Sequence, residues 1–358
     1  CIEELFNVFL ISMHQENKVK LSILIPVYNE INFLDKFTKK LDISFKNENV
    51  EFIFINDGST DGSQLWLEKF INKKNDINYK LISYSQNKGK GKALHEGLKI
   101  SDGDYILFQD SDLELDTRDS YEMYRLVKND EKIKCVFGTR YMSGKLKRNN
   151  NFFNALVGKI NSIIFNLLFF QSISDLHCGT KIIAKEVKEK INLSITDFGF
   201  EIDLATQISK NNFEIFEYGI SYFARTKAEG KKITWIDGVK SYFYLFKTRF
   251  VDNEFSIQIS IILSVLYMIN VGSHFGMGIG NILNIIIFSF VGLFIGLHRK
   301  IASSLLIYLF IYFGSLFSKG NGKIATVIIG FLIGLYLSKK FTNISKKYSD
   351  NKLINFFV

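Results

Sequence analysis

Short apolar runs alternate with segments of helical periodicity in the first half of the chain. Runs of consecutive apolar residues predict buried strands at Leu21–Val27, Val50–Asn56, Lys80–Ser85, Tyr105–Gln109 and Cys135–Gly138. Apolar residues at helical spacing predict helices between them, at Phe33–Leu41, Ser63–Ile71, Gly91–Ile100 and Ser120–Val127. This alternation is typical of βαβ units, so we expect a mostly parallel sheet with helices on both faces between residues 20 and 194.

A long stretch towards the end of the chain is almost free of charge. The 84 residues from Phe255 to Ser338 contain four charged side chains and no acid. Because so much apolar surface needs a non-aqueous environment, we expect an all-α transmembrane region of about four helices. Its segments lie near residues 256–273, 278–297, 301–317 and 324–341. Two crossings with re-entrant pieces are an alternative, since the third and fourth segments are short.

The distribution of lysine and arginine predicts the orientation of these segments. If the first half is cytoplasmic, only Lys319 and Lys323 lie outside. The other flanking basic residues then lie inside: Lys247, Arg249, Arg299, Lys300, Lys339, Lys340, Lys346 and Lys347. We therefore expect a multi-pass protein of the cytoplasmic membrane with its polar domain in the cytoplasm. The three cysteines have no paired spacing, which suits a reducing compartment.

Two further stretches have one apolar side. In residues 152–170, apolar residues recur at 153, 156, 160, 163 and 167, which predicts either a core helix or a helix at the membrane interface. Residues 235–250 run directly into the membrane region, so we expect them to lie at the lipid headgroups. The chain is thus divided into an N-terminal extension (1–19), an α/β domain (20–234), a juxtamembrane amphipathic helix (235–254), a transmembrane region (255–341) and a cytoplasmic tail (342–358).

Two acids follow a predicted strand at Asp110-Ser111-Asp112. Ligands of parallel α/β sheets bind beyond the carboxyl ends of the strands, so both carboxylates are expected in a ligand crevice. Acids so close together repel unless a cation separates them, and a divalent metal on a diphosphate is the natural choice. Glu114 projects to the same side as a possible third oxygen ligand.

A loop rich in glycine and lysine, Asn87–Lys92, precedes a predicted helix. Backbone N–H groups and ammonium charges converge at such a place, which favours a bound anion. The loop matches neither the Walker pattern nor GxGxxG. A solvated basic turn is the plainer alternative.

The excess of 45 Lys+Arg over 36 Asp+Glu, a formal charge of +9, raises the possibility of nucleic-acid binding. Much of this charge flanks the membrane segments, however, so we expect no nucleic-acid partner. No GxSxG elbow supports a serine hydrolase, and no zinc-ligand spacing exists among the five histidines, which we expect to be structural or exposed.

An ordered series of motifs spans about Lys20 to Arg249. The motifs are Leu24–Glu30 (LIPVYNE), Asn56–Gly62 (NDGSTDG), Asn87–Gly91 (NKGKG), Asp110–Asp112 (DSD), Gly138–Tyr141 (GTRY) and Gly199–Glu201 (GFE). This series resembles the family 2 inverting glycosyltransferases with the GT-A fold, a Rossmann-like nucleotide-diphospho-sugar transferase fold. Within them it most resembles the polyprenyl-phosphate branch, similar to dolichol-phosphate mannose synthase.

The resemblance implies roles for individual residues. The nucleotide sugar would contact Pro26, Tyr28, Glu30, Asp57, Lys88, Gly89, Asp110, Ser111 and Lys231. Mg²⁺ or Mn²⁺ would bind Asp110, Asp112 and Glu114, and Arg140 with Arg148 would grip the acceptor phosphate. Arg225 resembles the basic loop that closes over the donor diphosphate, so Asp112, Arg140 and Arg225 are the expected catalytic residues.

The resemblance also implies one-step inversion at the sugar, from a UDP- or GDP-linked donor to a polyprenyl phosphate. A phosphate acceptor is already ionised, whereas a sugar hydroxyl would require a base, for which Glu201 or Asp203 is the candidate. The alternatives are therefore a transferase of cell-envelope polysaccharide synthesis and a protein that binds or translocates lipid-linked sugar. Homo-oligomers through the transmembrane region are a further possibility.

Overall fold

The computed structural model of the protein describes residues 19–252 with short gaps at 75, 77, 143, 146, 149–151, 227–228 and 231–234, and isolated positions between 261 and 292. The side chains at 235, 236, 239 and 251 are also outside the described set. The chain divides into two units, Cys1–Leu245 and Phe246–Val358.

Several predicted segments lie outside the described residues. These are the extension before residue 19, almost all of the four transmembrane segments, and the tail after 341. Transmembrane topology, membrane orientation and oligomers through this region therefore stay predictions. The positions described between 261 and 292 are helical, and a Cβ at Gly292 would meet the backbone of Ser264 and Val265, so two segments of this unit approach closely there.

A seven-stranded sheet organises the first unit, in the order β3-β2-β1-β4-β7-β5-β8. Its strands are β1 (Leu21–Val27), β2 (Val50–Asp57), β3 (Tyr79–Tyr84), β4 (Tyr105–Phe108), β5 (Cys135–Thr139), β7 (Lys181–Ala184) and β8 (Phe216–Gly219). Strands β1 to β4 are parallel to one another, β7 is antiparallel to both neighbours, and β8 is parallel to β5. A separate parallel pair consists of β6 (Lys147–Arg148) and β9 (Tyr222–Phe223).

Eight α-helices lie between residues 31 and 246 in the described part of the chain. They are α1 (Ile31–Ser44), α2 (Ser63–Lys74), α3 (Lys90–Ile100), α4 (Thr117–Asn129), α5 (Phe152–Phe169), α6 (Lys185–Lys190), α7 (Phe200–Lys210) and α8 (Trp235–Phe246). A π-helical turn, Lys247–Val251, follows α8 in sequence. Helix α3 packs on β1 and β2, α2 packs on β2 and β3, and α4 packs on β5 and α1.

The central strands are buried on both sides. Every residue of β2 and β4 is buried, and so is all of β1 except half-buried Pro26. A parallel sheet covered by helices on both faces requires such continuous apolar strands, whereas each covering helix needs only one apolar stripe. In α1 that stripe contains Leu34, Phe37 and Leu41.

The predicted α/β architecture with a mostly parallel sheet is confirmed. Strand β1 has the predicted bounds and the other four predicted strands overlap the observed ones. The one antiparallel strand of this sheet, β7, lies between β4 and β5, which agrees with the predicted mostly parallel sheet. Four short elements, β6 to β9, were not predicted, because runs of two to four residues carry little periodic signal.

Gly58 permits the turn that follows β2. Its φ of +70° is a left-handed conformation, and a Cβ there would collide with the backbone of Gln86 and Asn87. Gly62 also has a positive φ, of +96°, but nothing lies within 4 Å of the position that its Cβ would occupy. The turn after β2 therefore approaches the glycine-lysine loop so closely that only glycine fits.

Alanine at these two glycines should separate backbone strain from collision. We expect Gly62→Ala to cost about 1 kcal/mol, the usual penalty for a left-handed residue. Gly58→Ala should cost roughly 1–3 kcal/mol more, because its methyl group also overpacks the loop. The thermal unfolding midpoints of the two purified variants test this, and equal midpoints would show that the close approach at Gly58 is not tight.

Candidate active site

A cavity of about 590 Å³ opens at the carboxyl ends of the central strands. Most of the predicted site residues line it: Pro26, Tyr28, Glu30, Asp57, Gly89, Asp110, Ser111, Asp112, Glu114, Arg140, Glu201 and Arg225. The ends of β1, β2 and β4 meet at one edge of the sheet because these strands are parallel neighbours. The topology thus gathers residues that are far apart in sequence.

The acidic segment after β4 is held in a tight bend. Leu113 has a φ of +60°, and the Glu114 N–H donates to Asp112 Oδ1 at 3.0 Å. Ser111 Oγ donates to the carbonyl oxygen of Pro26 at 3.0 Å, which ties this segment to the end of β1. Asp112 is only 19% exposed. Burial and the charges of Asp110 and Glu114 raise the pKa of Asp112 to about 7, although Arg225 opposes the shift.

Two cations balance the acids of the cavity. Lys90 Nζ lies 2.7 Å from Asp110 Oδ1 and 2.7 Å from Glu201 Oε1. Arg225 donates from Nη1 to Glu30 at 2.9 Å and from Nη2 to Asp112 at 3.0 Å. The site therefore presents carboxylates that are already paired with basic side chains of the chain itself.

The donor set fits a hard divalent cation in its chemistry. Asp110, Asp112 and Glu114 supply carboxylate oxygens from one short segment, the ligand type that Mg²⁺ and Mn²⁺ prefer. The raised pKa of Asp112 reflects a concentration of negative charge that a cation would relieve. Among the described residues, however, no three acidic, histidine or cysteine side chains converge on one point as they stand.

The glycine-lysine loop is held by Asp57. The Asp57 carboxylate accepts the N–H of Lys88 at 2.7 Å and the N–H of Gly89 at 2.9 Å. Gly89 has a φ of +96° and starts α3, so the next side chain, Lys90, lies in the cavity. Lys88 Nζ lies 4.5 Å from the centre of the Tyr84 ring. The structure thus brings Lys90 to the cavity, whereas sequence analysis selected Lys88.

Arg140 is fixed by a buried partner. Its Nε and Nη2 donate to the two carboxylate oxygens of Asp175 at 2.7 and 2.8 Å, and its own N–H donates to Oδ2 at 3.0 Å. Asp175 is 1% exposed, and the Tyr222 ring centre lies 5.1 Å from Arg140 Cζ. Burial alone would raise the pKa of Asp175, but the Arg140 charge outweighs it and lowers that pKa.

Arg148 lies elsewhere. This residue is in β6, its side chain is 50% exposed, and its Nη1 donates to Glu229 at 3.0 Å. It is not among the described residues that line the cavity, and Lys231 lies outside the described residues. The predicted roles of Arg148 with the acceptor phosphate and of Lys231 with the donor both stay predictions.

The two candidate bases, Glu201 and Asp203, have different environments. Glu201 lines the cavity, and the charges of Lys90 and Lys181 outweigh the effect of burial and lower its pKa. Asp203 is 1% exposed and accepts the N–H groups of Ser194 and Ile195 at 2.6 and 2.9 Å. Residues two apart on a helix face different directions, so Asp203 caps a loop instead of facing the ligand.

The residues of the cavity wall that sequence analysis did not select include Lys90, His177 and Tyr222. His177 is hydrogen-bonded to Asn161 at 2.9 Å, and burial lowers its pKa to about 4. Lys90 could have been distinguished from Lys92 by its spacing, because Lys92 pairs with Glu96 one helical turn away on the outer face of α3. Nothing in the local sequence around Tyr222 marks it as a site residue.

Helix α5 has a polar and an apolar side. Asn154, Gly158 and Asn161 line the cavity. The apolar residues predicted to form one stripe are exposed, namely Phe153 (70%), Leu156 (41%), Ile160 (37%), Ile163 (57%) and Leu167 (67%). The stripe is therefore not packed into the core of the described part of the chain, and its position at a membrane interface stays a prediction.

By length and composition alone, α5 could also cross a membrane, and it is the one helix of the described part of the chain that meets this criterion. Only 28% of its apolar window is buried.

Comparison with known proteins now identifies the domain. Residues 22–191 match the model of the family described as glycosyl transferase family 2. This part of the chain is a glycosyl transferase family 2 domain. The chain is similar to a dolichyl-phosphate beta-glucosyltransferase from Dictyostelium discoideum, with 28% identity over 234 residues, covering 61% of this chain and 69% of the relative. It is also similar to a dolichol-phosphate mannosyltransferase from Pyrococcus furiosus, with 26% identity over 216 residues, covering 60% of this chain and 59% of that relative.

A solved structure shares the fold of this glycosyltransferase domain. Glucosyl-3-phosphoglycerate synthase from Mycobacterium tuberculosis, in complex with Mn²⁺, uridine diphosphate and glucosyl-3-phosphoglycerate, superposes with a TM-score of 0.52 at 16% identity. The match covers 65% of this chain and 81% of that one. At this identity the match supports the predicted GT-A fold alone.

Gly179 offers a direct test of the acidic segment. A Cβ at Gly179 would fall on the Asp110 carboxylate, so we expect Gly179→Ala to push Asp110 aside and weaken Mn²⁺ binding about tenfold or more, with little loss of stability. Gly144→Ala is the matched control, because nothing lies within 4 Å of its Cβ position. Titration of Mn²⁺ followed by electron paramagnetic resonance measures both variants. Unchanged affinity in Gly179→Ala would exclude Asp110 from the metal site.

Proposed function

We propose that this domain transfers a sugar from a nucleotide sugar, UDP- or GDP-linked, to the phosphate of a polyprenyl phosphate at the cytoplasmic membrane face, with inversion at the sugar. The observation that carries the proposal is Arg140, which lines the same cavity as Asp110 and Asp112 and is fixed there by buried Asp175. The names of the two relatives support the same class of acceptor.

The geometry of Arg140 suits an anionic acceptor. Its Nε and Nη2 both donate to Asp175, which fixes the plane of the guanidinium at the cavity wall. A buried arginine costs considerable desolvation unless its charge is paired, and Asp175 supplies that pairing. A guanidinium held in this way would orient a phosphate without having to be ordered at each turnover.

The environment of Glu201 favours a phosphate acceptor over a hydroxyl. A hydroxyl needs a general base with a pKa near neutrality, whereas Lys90 and Lys181 lower the pKa of Glu201 despite its burial. Asp203 is engaged with the loop N–H groups of Ser194 and Ile195. A phosphate oxygen is already ionised and needs neither residue.

The exposed apolar stripe of α5 supports a lipid acceptor. The polar side of this helix lines the cavity, and the stripe faces away from it. A helix with an apolar outer side is suited to the boundary between headgroups and acyl chains. An acceptor phosphate could then reach the cavity while its prenyl chain stays in the lipid.

In the proposed reaction a phosphate oxygen attacks the anomeric carbon, the bond from that carbon to the donor diphosphate breaks, and the nucleoside diphosphate leaves. Arg140 orients the acceptor, and Arg225 contributes positive charge beside the leaving diphosphate. Asp110, Asp112 and Glu114 would hold Mg²⁺ or Mn²⁺, which would supply Lewis-acid stabilisation of that diphosphate. Asp57 keeps the glycine-lysine loop in place.

Transfer to a lipid phosphate tests this proposal. The protein purified in detergent is incubated with undecaprenyl phosphate and a panel of UDP- and GDP-sugars, with Mg²⁺ or with EDTA, and glycolipid is measured by mass spectrometry. We expect a metal-dependent product with one donor. Asp112→Asn and Arg140→Ala should each reduce its rate at least about a hundredfold, because each removes charge that acts on a reacting phosphate.

Arg125→Gln is the control for these variants, since Arg125 lies on α4, is 53% exposed and pairs with Glu122 one turn away. Its rate should equal that of the wild type. Consumption of nucleotide sugar onto a saccharide hydroxyl, with no glycolipid from any donor, would contradict the proposal. That result would direct attention to Glu201 and to the polysaccharide alternative.

A further inference from the structure

Arg225 is surrounded by the acids of the donor side of the cavity. Its guanidinium lies 2.9 Å from Glu30, 3.0 Å from Asp112 and 3.5 Å from Glu114. Its backbone N–H donates to Glu114 Oε1 at 2.8 Å, and its side chain is 11% exposed. Arg225 therefore connects the end of β1 with the acidic segment after β4 and neutralises part of their charge.

The carboxylates that hold Arg225 include two that a divalent cation would need. A Mg²⁺-sized ion sits about 2.1 Å from each ligand oxygen, and its charge repels a guanidinium bound to the same oxygens. Among the described residues no three candidate ligands converge on a metal position while Arg225 lies there. Arg225 therefore contacts two of the carboxylates that a cation at this site would also contact.

The hydrogen bonding of the Arg225 guanidinium is incomplete, although three acids surround it. Arg225 Nε is buried and forms no hydrogen bond among the described residues, since Glu114 lies 3.5 Å away. The ring of Phe33, 5.2 Å from Arg225 Cζ, supports the guanidinium on one side. A diphosphate offers more acceptor oxygens in a suitable geometry than this set does, so Arg225 has a better partner once a donor is bound.

We propose that Arg225 is the internal counter-ion of the metal-free site, and that it leaves Asp112 and Glu114 when a divalent cation binds and then pairs with the donor diphosphate. This inference rests on the proposed function for the identity of the donor. The exchange keeps the cavity close to charge balance at each step, because a carboxylate cluster is never left without a cation. It also makes metal and diphosphate binding cooperative, since the metal frees the arginine that the diphosphate requires.

Hydrogen–deuterium exchange of the full-length protein tests whether a divalent cation displaces Arg225, and it requires no measurement of sugar transfer. The readout is the peptide that contains Tyr222 to Thr226, in EDTA, in Mn²⁺ alone, and in Mn²⁺ with UDP or GDP. We expect faster exchange in Mn²⁺ alone, because the Arg225 N–H loses its acceptor on Glu114, and slower exchange again when a nucleoside diphosphate is added. The Lys88 and Gly89 amides, held by Asp57, should not change in Mn²⁺ alone.

A variant provides an independent test, in which the affinities for Mn²⁺ and for the nucleotide should change in opposite directions. Arg225→Gln should tighten binding of Mn²⁺ alone about tenfold, because the competing cation is gone, and should weaken UDP or GDP binding in saturating Mn²⁺ by about the same factor. Arg125→Gln should change neither affinity. Cooperative thermal unfolding of both variants in EDTA would show that both are folded, independently of their affinity for Mn²⁺.

Unchanged or slower exchange of the 222–226 peptide in Mn²⁺ alone would overturn the proposal, as would unchanged or weaker Mn²⁺ binding by Arg225→Gln. These outcomes are distinguishable from failure of the proposed function. Absence of glycolipid together with the expected exchange pattern would leave the counter-ion role standing and reject only the acceptor. Normal glycolipid synthesis without the expected hydrogen-exchange pattern would support the proposed function and reject the counter-ion role of Arg225.

Discussion

Repulsion between carboxylates in a confined cavity is the constraint that determines how the charged residues of the site are arranged. The carboxyl ends of the parallel strands bring Glu30, Asp110 and Asp112 to one sheet edge, where each charge loses part of its hydration. Lys90 at the start of α3 and Arg225 after β9 supply the compensating charge from two distant parts of the chain. The fold therefore depends on contacts between elements that are separated by up to 195 positions in sequence.

The architecture was more predictable than the identity of the residues that face the ligand. Continuous apolar strands such as β1 and β2 are visible in the sequence because a doubly covered parallel sheet demands them. The acidic pair after β4 was equally visible. The choice between Lys88 and Lys90 was not, since it depends on the left-handed turn at Gly89. Asp203, in contrast, could have been set apart from Glu201 by the direction of its side chain on a helix.

Helix α5 has one side at the polar cavity and an opposite side that is apolar and exposed. Its inner side contributes Asn161, which is hydrogen-bonded to His177, while its outer side presents Phe153 and Leu167 to the surroundings. The sequence pattern alone allowed either a core helix or an interfacial one, because periodicity reveals that a stripe exists but does not reveal what covers it. The exposure of the stripe in the structure, with the polar side of the helix at the cavity, favours the interfacial interpretation.

The loop from Asp175 to Gly179 lies between Arg140 and the acidic segment and contacts both of them. At one end Asp175 holds Arg140, and at the other end the backbone of Gly179 touches the Asp110 carboxylate with no room for a methyl group. The separation between the acidic segment and Arg140 is consequently set by main chain, which changes little from one sequence to another. Val157 and Gly238 also line the cavity, and their contact is made by a side chain, so a change of size at position 157 would alter the space there without moving the Asp175–Gly179 loop. Selectivity for the sugar and the geometry of transfer can thus evolve separately in this scaffold.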